Sequence, residues 1–65
     1  MVVYCINNRG LEKYLTLDKK YEVIEETEEF NWFKITNDKG RENEYDRSRF
    51  LKLDKWRDRQ LKKIL

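Results

Sequence analysis

Up to Phe50 the chain alternates apolar and polar side chains in short runs, and from Leu53 the apolar spacing lengthens to that of a helix. A two-residue period puts every second side chain on one face of a strand, whereas a 3.6-residue period gathers them on one stripe of a helix. The chain is therefore expected to be mainly β with a helical end. With 65 residues and a single cysteine, it has to hold that arrangement with a thin core and no intramolecular disulfide.

Val2-Val3-Tyr4-Cys5-Ile6 predicts the first strand, with Val3 and Cys5 on one face. Asn7-Asn8-Arg9-Gly10 ends it, because Asn and Gly tolerate left-handed backbone angles. Leu11 to Lys20 is expected to be irregular, with Leu11, Leu15 and Leu17 pinning it to the core. Tyr21 to Glu25 predicts the second strand, Tyr21 and Val23 pointing the same way. The acidic run from Glu25 to Glu29 repels itself and suits a solvated turn or strand end. Phe30 to Thr36 alternates again, with Phe33 and Ile35 on one face and Trp32 and Lys34 on the other. Asn37-Asp38-Lys39-Gly40 is a hairpin turn signal, and Arg41 to Tyr45 a polar, edge-like return strand. Ser48-Arg49-Phe50-Leu51 is short enough for one helical turn. The expected core is Val3, Cys5, Leu15, Leu17, Tyr21, Val23, Phe33, Ile35, Phe50 and Leu51.

In the tail, Leu53, Trp56, Leu61, Ile64 and Leu65 fall within about half of a helical wheel, with Gln60 among them. Arg57, Asp58 and Lys62 take the opposite side. Asp54 near the start and Lys62-Lys63 near the end suit the helix dipole. A free helix of about three turns is marginal in water. The tail is thus expected to dock through Leu53, Trp56 and Leu61, on its own body or on a second copy. Charge divides the chain at the same place: residues 1–51 carry nine basic and eleven acidic groups, residues 52–65 six basic and two acidic. A body of residues 1–51 and a basic amphipathic helix of 52–65 are the two expected parts.

Composition narrows the chemistry. There is no histidine, and Cys5 lies in an apolar run that suits an inert buried thiol, so neither a Cys/His metal site nor a cysteine nucleophile is expected. Neighbouring glutamates such as Glu25 and Glu26 would face opposite ways on a strand, and so small a fold has no room for a substrate pocket beside its core. No enzyme, cofactor or small-molecule substrate is expected. No apolar run is long enough for a membrane span or a signal peptide, and the short, broken apolar side of the tail suits membrane-surface binding poorly. A cytoplasmic address is expected.

The order Leu15-Thr16-Leu17, Tyr21-Glu22-Val23-Ile24-Glu25-Glu26, Phe30-Asn31-Trp32-Phe33-Lys34-Ile35, a glycine-containing hairpin and Tyr45-Asp46-Arg47-Ser48-Arg49-Phe50 resembles an SH3-like small barrel. Asn31-Trp32-Phe33-Lys34 is similar to that family's D/E-W-W segment, and Tyr45 to Leu51 to its closing Y/F-x-P-S-N-Y-V segment. Val3-x-Cys5-Ile6-Asn7-Asn8, with the Tyr21-Glu22-Val23, Asn37-Asp38 and Ser48-Arg49-Phe50 segments, also resembles short proteins of phages and prophages of Gram-positive bacteria. Together the likenesses cover about fifty residues. They imply a five-stranded SH3-like barrel with a C-terminal amphipathic helix, a peptide-contact role for Trp32, and a groove end at Tyr45, Arg47 and Phe50. Arg47 stands where the family has proline, and Phe50 where it has tyrosine, so recognition of proline-rich peptides is not expected.

Tryptophan and arginine dominate binding hot spots. The expected function is that of a non-enzymatic protein-binding module using Trp32, Tyr45, Arg47, Arg49 and Trp56. The resemblance implies a phage or prophage accessory protein that binds, and in doing so inhibits, a host or phage protein in the bacterial cytoplasm. A homodimer through the C-terminal helix is a further expected partner state. The alternative is a nucleic-acid-binding barrel using Lys52, Lys55, Arg57, Arg59, Lys62 and Lys63.

Overall fold

The computed structural model describes residues 1–27 and 29–64, with residues 63 and 64 described by backbone alone. Five strands, β1 (Val2–Cys5), β2 (Lys20–Thr27), β3 (Trp32–Thr36), β4 (Glu42–Asp46) and β5 (Phe50–Lys52), are followed by one helix, α1 (Leu53–Ile64). A 3-10 turn, Arg47–Arg49, separates β4 from β5. The strands form one antiparallel sheet in the order β4-β3-β2-β1-β5. Its hydrogen bonding does not close on itself, and β4 and β5 are its edges. The polar β4, with Glu42, Asn43 and Glu44 exposed, is suited to an edge.

Alternation sorts the side chains as the sequence implies. Val3 and Cys5 of β1, Tyr21 of β2, Phe33 and Ile35 of β3 and Phe50 of β5 meet on the inner face, and Leu15 joins them from the segment between β1 and β2. Leu11, Val23 and Tyr45 pack against this cluster. Three aromatic edges converge on Phe50, from Tyr21, Phe33 and Tyr45, with ring centres 6.1 to 6.4 Å away.

Two expected core residues lie elsewhere. Leu17 is 51 % exposed. The chain turns away from the core after Leu15: the Thr16 N–H donates to the Tyr21 hydroxyl at 2.8 Å, and the Lys19 N–H closes a turn onto the Thr16 carbonyl. Asp18 then adopts a left-handed φ of 63°. Leu51 pairs with Tyr4 across β1 and β5, so it sits half-buried on the outer face, under α1. Conversely, Asn37 is a buried polar residue that the apolar pattern does not show. Its side-chain oxygen accepts from the Lys39 and Arg41 N–H groups and its amide donates to the Tyr45 hydroxyl, so it shapes the β3–β4 hairpin from within. Gly40 completes that turn at φ 76°.

The second strand runs three residues into the acidic segment, to Thr27. The register shifts between Val23 and Glu25, leaving Ile24 as an extra, exposed residue. Such a bulge exchanges the faces of everything beyond it. Glu25 therefore pairs with outward-facing Lys34, and Glu26 lies opposite inward-facing Phe33.

One polar cluster fastens the β1–β2 segment to the β3–β4 hairpin. The Asp38 carboxylate accepts from Thr16 Oγ1 at 2.7 Å, Lys19 Nζ at 2.7 Å and the Tyr21 hydroxyl at 2.9 Å. Burial pushes the Tyr21 phenol up to about 12; the Thr16 N–H works against this and the Asp38 carboxylate adds to it. Burial alone would raise the Asp38 carboxyl, but its bonds from Lys19, Thr16 and Tyr21 outweigh that and hold it below its usual range. A phenol whose pKa rises on folding binds its proton more tightly when folded. Its contribution is complete below the phenol's ordinary value of 10.0 and is lost as pH climbs toward about 12. A carboxyl lowered on folding contributes above its ordinary value and loses that contribution as pH falls below it. Urea midpoints measured across pH should therefore show Tyr21→Phe removing part of the alkaline decline, and Asp38→Asn part of the acid decline. An alkaline limb unchanged by Tyr21→Phe would mean that the phenol ionises without regard to the fold.

Candidate functional site

The tail docks on its own sheet. Trp56 stacks on Tyr4, on the outer face of β1, with ring centres 4.1 Å apart and planes 12° from parallel. Its indole N–H donates to Asp18 Oδ1 at 3.1 Å, and Gln60 Nε2 donates to the same oxygen at 3.3 Å. The left-handed backbone at Asp18 is what aims that carboxylate at the helix, and Asp tolerates such angles better than most residues. Leu53 is half-buried beside this contact, but Leu61 is 60 % exposed. The expected docking face of Leu53, Trp56 and Leu61 is thus corrected to Leu53, Trp56 and Gln60. The hydrophobic positions Ile64 and Leu65, like Glu28 in the acidic run, lie outside the described side chains.

The adjoining face of α1 carries Lys55, Asp58, Arg59 and Lys62, at the spacing of one helical stripe. With Leu51 as floor, these residues line an open groove of about 750 Å³. It continues around the β5 edge into a smaller cleft of about 250 Å³ formed by Phe33, Arg47, Phe50, Leu51, Lys52, Asp54 and Lys55. The floor is apolar, and among the described residues the rim carries five cations and two carboxylates.

Arg47 occupies the inner end of the cleft. Its guanidinium carbon lies 4.5 Å from the centre of the Phe33 ring, and its Nη1 is 3.4 Å from Glu26 Oε2. The β2 bulge makes this pairing possible by turning Glu26 to the Phe33 face. Asp46 begins the 3-10 turn by accepting from the Ser48 N–H at 2.8 Å, and that bond, with the Ser48 side chain, holds its carboxyl below the usual range.

The five expected protein-binding residues do not converge. Trp32 is half-buried on the outer face, paired with Thr27 and Asp46, whereas Tyr45 pairs with Phe33 on the inner face. The Tyr45 hydroxyl accepts from Asn37. Arg49 donates to the carbonyls of Asn7 and Arg9 at 3.2 and 3.1 Å, tying down the loop after β1. Trp56 is committed to Tyr4. Of the five, only Arg47 lines the cleft that adjoins the groove, and none lines the groove itself.

The cationic set fares differently. Lys55, Arg59 and Lys62 border the groove, and Lys52 borders the adjoining cleft. Arg57 is exposed but does not line it, and the side chain of Lys63 lies outside the described residues. Sequence reasoning missed Leu51 as an outer-face floor, along with Tyr4 and Asp18 as the seat of the helix. The i, i+3, i+4, i+7 spacing from Lys55 to Lys62 was the available signal for the groove wall.

Cys5 is fully buried, and burial pushes its thiol up, away from the low value of a nucleophile. Among the described residues no group of three or more His, Cys, Asp or Glu side chains is arranged to hold a metal ion, and no helix is long and apolar enough to cross a membrane. Compared with family models, with curated proteins and with solved structures, the chain finds no match.

Proposed function

We propose that this protein is a non-enzymatic protein-binding module of SH3-like architecture, a small phage or prophage accessory protein that occupies, and so inhibits, a host or phage protein in the bacterial cytoplasm. The observation that carries the binding reading is the groove between α1 and the β5 edge, whose apolar floor of Leu51, Phe50 and Phe33 is rimmed by charge. An apolar centre inside a polar rim is the anatomy of a protein interface. The strand order, with a 3-10 turn joining the two edge strands, supports the SH3-like part of the proposal. The phage assignment rests on the sequence resemblance alone. Trp32, half-buried on the outer face, is the proposed second contact.

A second reading, nucleic-acid binding, is favoured by one observation: Lys55, Arg59 and Lys62 border the groove, and Lys52 its adjoining cleft. Titration with labelled single-stranded and duplex DNA at two salt concentrations separates the two. The module reading expects no binding at physiological salt and only weak, non-specific binding at low salt. Micromolar binding that falls steeply with salt and collapses on Lys55→Glu plus Lys62→Glu would replace it. Capture of partners from a bacterial lysate should weaken with Trp32→Ala. Undiminished recovery by the folded variant would remove Trp32 from the contact.

A further inference from the structure

We infer that the groove beside α1 is a docking site for an acidic segment of another protein, which seats an apolar side chain on Leu51 and sets its carboxylates against Lys55, Arg59 and Lys62. This rests on the module reading and names the chemistry of its partner. Three features select that chemistry. The rim holds Arg47, Lys52, Lys55, Arg59 and Lys62 against Asp54 and Asp58, so the groove is net positive although residues 1–51 are net negative. Among the described ion pairs Arg47 is held by Glu26, whereas Lys55, Arg59 and Lys62 are exposed on the helix face that an incoming chain would meet. The floor is aliphatic where it is open, at half-buried Leu51, which suits a side chain better than a sugar or phosphate.

Nucleic acid fits the same groove less well. Asp58 stands on the helix stripe between Lys55 and Lys62, and would repel a phosphate backbone running along it. Among the described residues lining the groove no aromatic face is open for base stacking either: Phe33 and Phe50 are 3 % and 4 % exposed, and the neighbouring Trp56 is stacked on Tyr4. The chain does carry acidic and aromatic residues of its own at the β2–β3 end, Glu25, Glu26, Glu29 and Phe30, with Phe30 67 % exposed. Insertion of those residues into the groove of a second copy closes only where it is reciprocal about a symmetry axis, and otherwise grows open-ended. A separate partner avoids that outcome.

The probe is a fluorescein-labelled peptide, Glu-Glu-Phe-Glu-Glu-Leu-Glu-Glu, compared by anisotropy with its all-Gln counterpart, Gln-Gln-Phe-Gln-Gln-Leu-Gln-Gln. The acidic peptide should bind at least about tenfold more tightly than the neutral one, and lose that advantage at high salt. Lys55→Glu with Lys62→Glu should weaken it by about tenfold or more, since each reversal replaces an attraction with a repulsion. Lys55→Ala with Lys62→Ala, which leaves no repulsion and little risk to the helix, should produce a smaller loss in the same direction. Lys13→Glu with Lys20→Glu, the same charge change placed away from the groove, should have little effect. Equal binding of the two peptides overturns the acidic chemistry and leaves the module reading standing. Binding of neither by the folded protein overturns the groove as a site, and lysate capture then judges the module reading on its own. Displacement of the peptide by single-stranded DNA at lower concentration overturns the inference in favour of nucleic acid. Salt-sensitive self-association that Phe30→Ala abolishes overturns it in favour of a second copy.

Discussion

Leu15→Ala should leave the chain substantially unfolded in water at room temperature. Leu15 has no exposed surface, yet it is carried by a segment with no regular structure of its own. Its carbonyl accepts from Asn8 Nδ2 at 3.0 Å and its N–H donates to the Leu11 carbonyl at 2.9 Å, so the backbone is fixed around it. Truncating a buried leucine costs about 2–5 kcal/mol, because the cavity collapses only in part. A single core of this size supplies roughly 3–5 kcal/mol in all. The loss is therefore comparable to the total. Leu17→Ala, two residues on at a half-exposed position, should stay within about 0.5 kcal/mol of the parent. Urea unfolding followed by far-UV circular dichroism reads both. If the two variants had similar midpoints, the assignment of Leu15 inward and Leu17 outward would be wrong.

Trp56→Ala should release the helix while sparing the sheet. The stack on Tyr4 is worth about 0.5–1.5 kcal/mol beyond its buried area, and the indole bond to Asp18 about another 0.5–1.5 kcal/mol. With the lost apolar contact the cost comes to about 2–4 kcal/mol. A twelve-residue helix has little stability of its own once its docking contact is gone. The expected signature is a loss of helical ellipticity, together with a shift of the Tyr4 ring resonances. Trp56→Phe should restore most of the helix, since it keeps the stack and loses only the bond to Asp18. Full helicity in Trp56→Ala would show that α1 is held by contacts other than this stack.

Much of the fold is legible in the sequence, because alternation is a local property. Val3 with Cys5, and Phe33 with Ile35, fall on the inner face as their spacing requires, and Asn37 to Gly40 makes the expected hairpin. The helix begins where the period changes, at Leu53, one residue beyond the expected boundary because Lys52 still belongs to β5. What is not legible depends on distant partners. Leu15-Thr16-Leu17 alternates like a strand, but Thr16 bonds to Tyr21 and the chain turns before Leu17 can reach the core. The face of Glu26 is invisible without the bulge at Ile24, which only pairing with β3 reveals. Gln60 looks like a flaw in an apolar stripe until Asp18 supplies its acceptor. The groove escaped notice for a related reason. Its cations share a stripe readable from the sequence, but its floor, Leu51, is defined only when β5 pairs with β1 and turns that side chain outward.

The position of β1 between β2 and β5 constrains how the chain comes to be folded at all. β2, β3 and β4 follow one another and can pair as they emerge from the ribosome, each with the strand just made. The other edge of β1 has to wait for β5, and Tyr4 for Trp56, both made after everything else in the sheet. Contacts across such sequence distances slow folding, because the intervening loop must close before they yield any stabilisation. Until then β1 presents an unpaired edge of valine, tyrosine and cysteine, the interval in which a nascent chain is most open to pairing with the wrong partner.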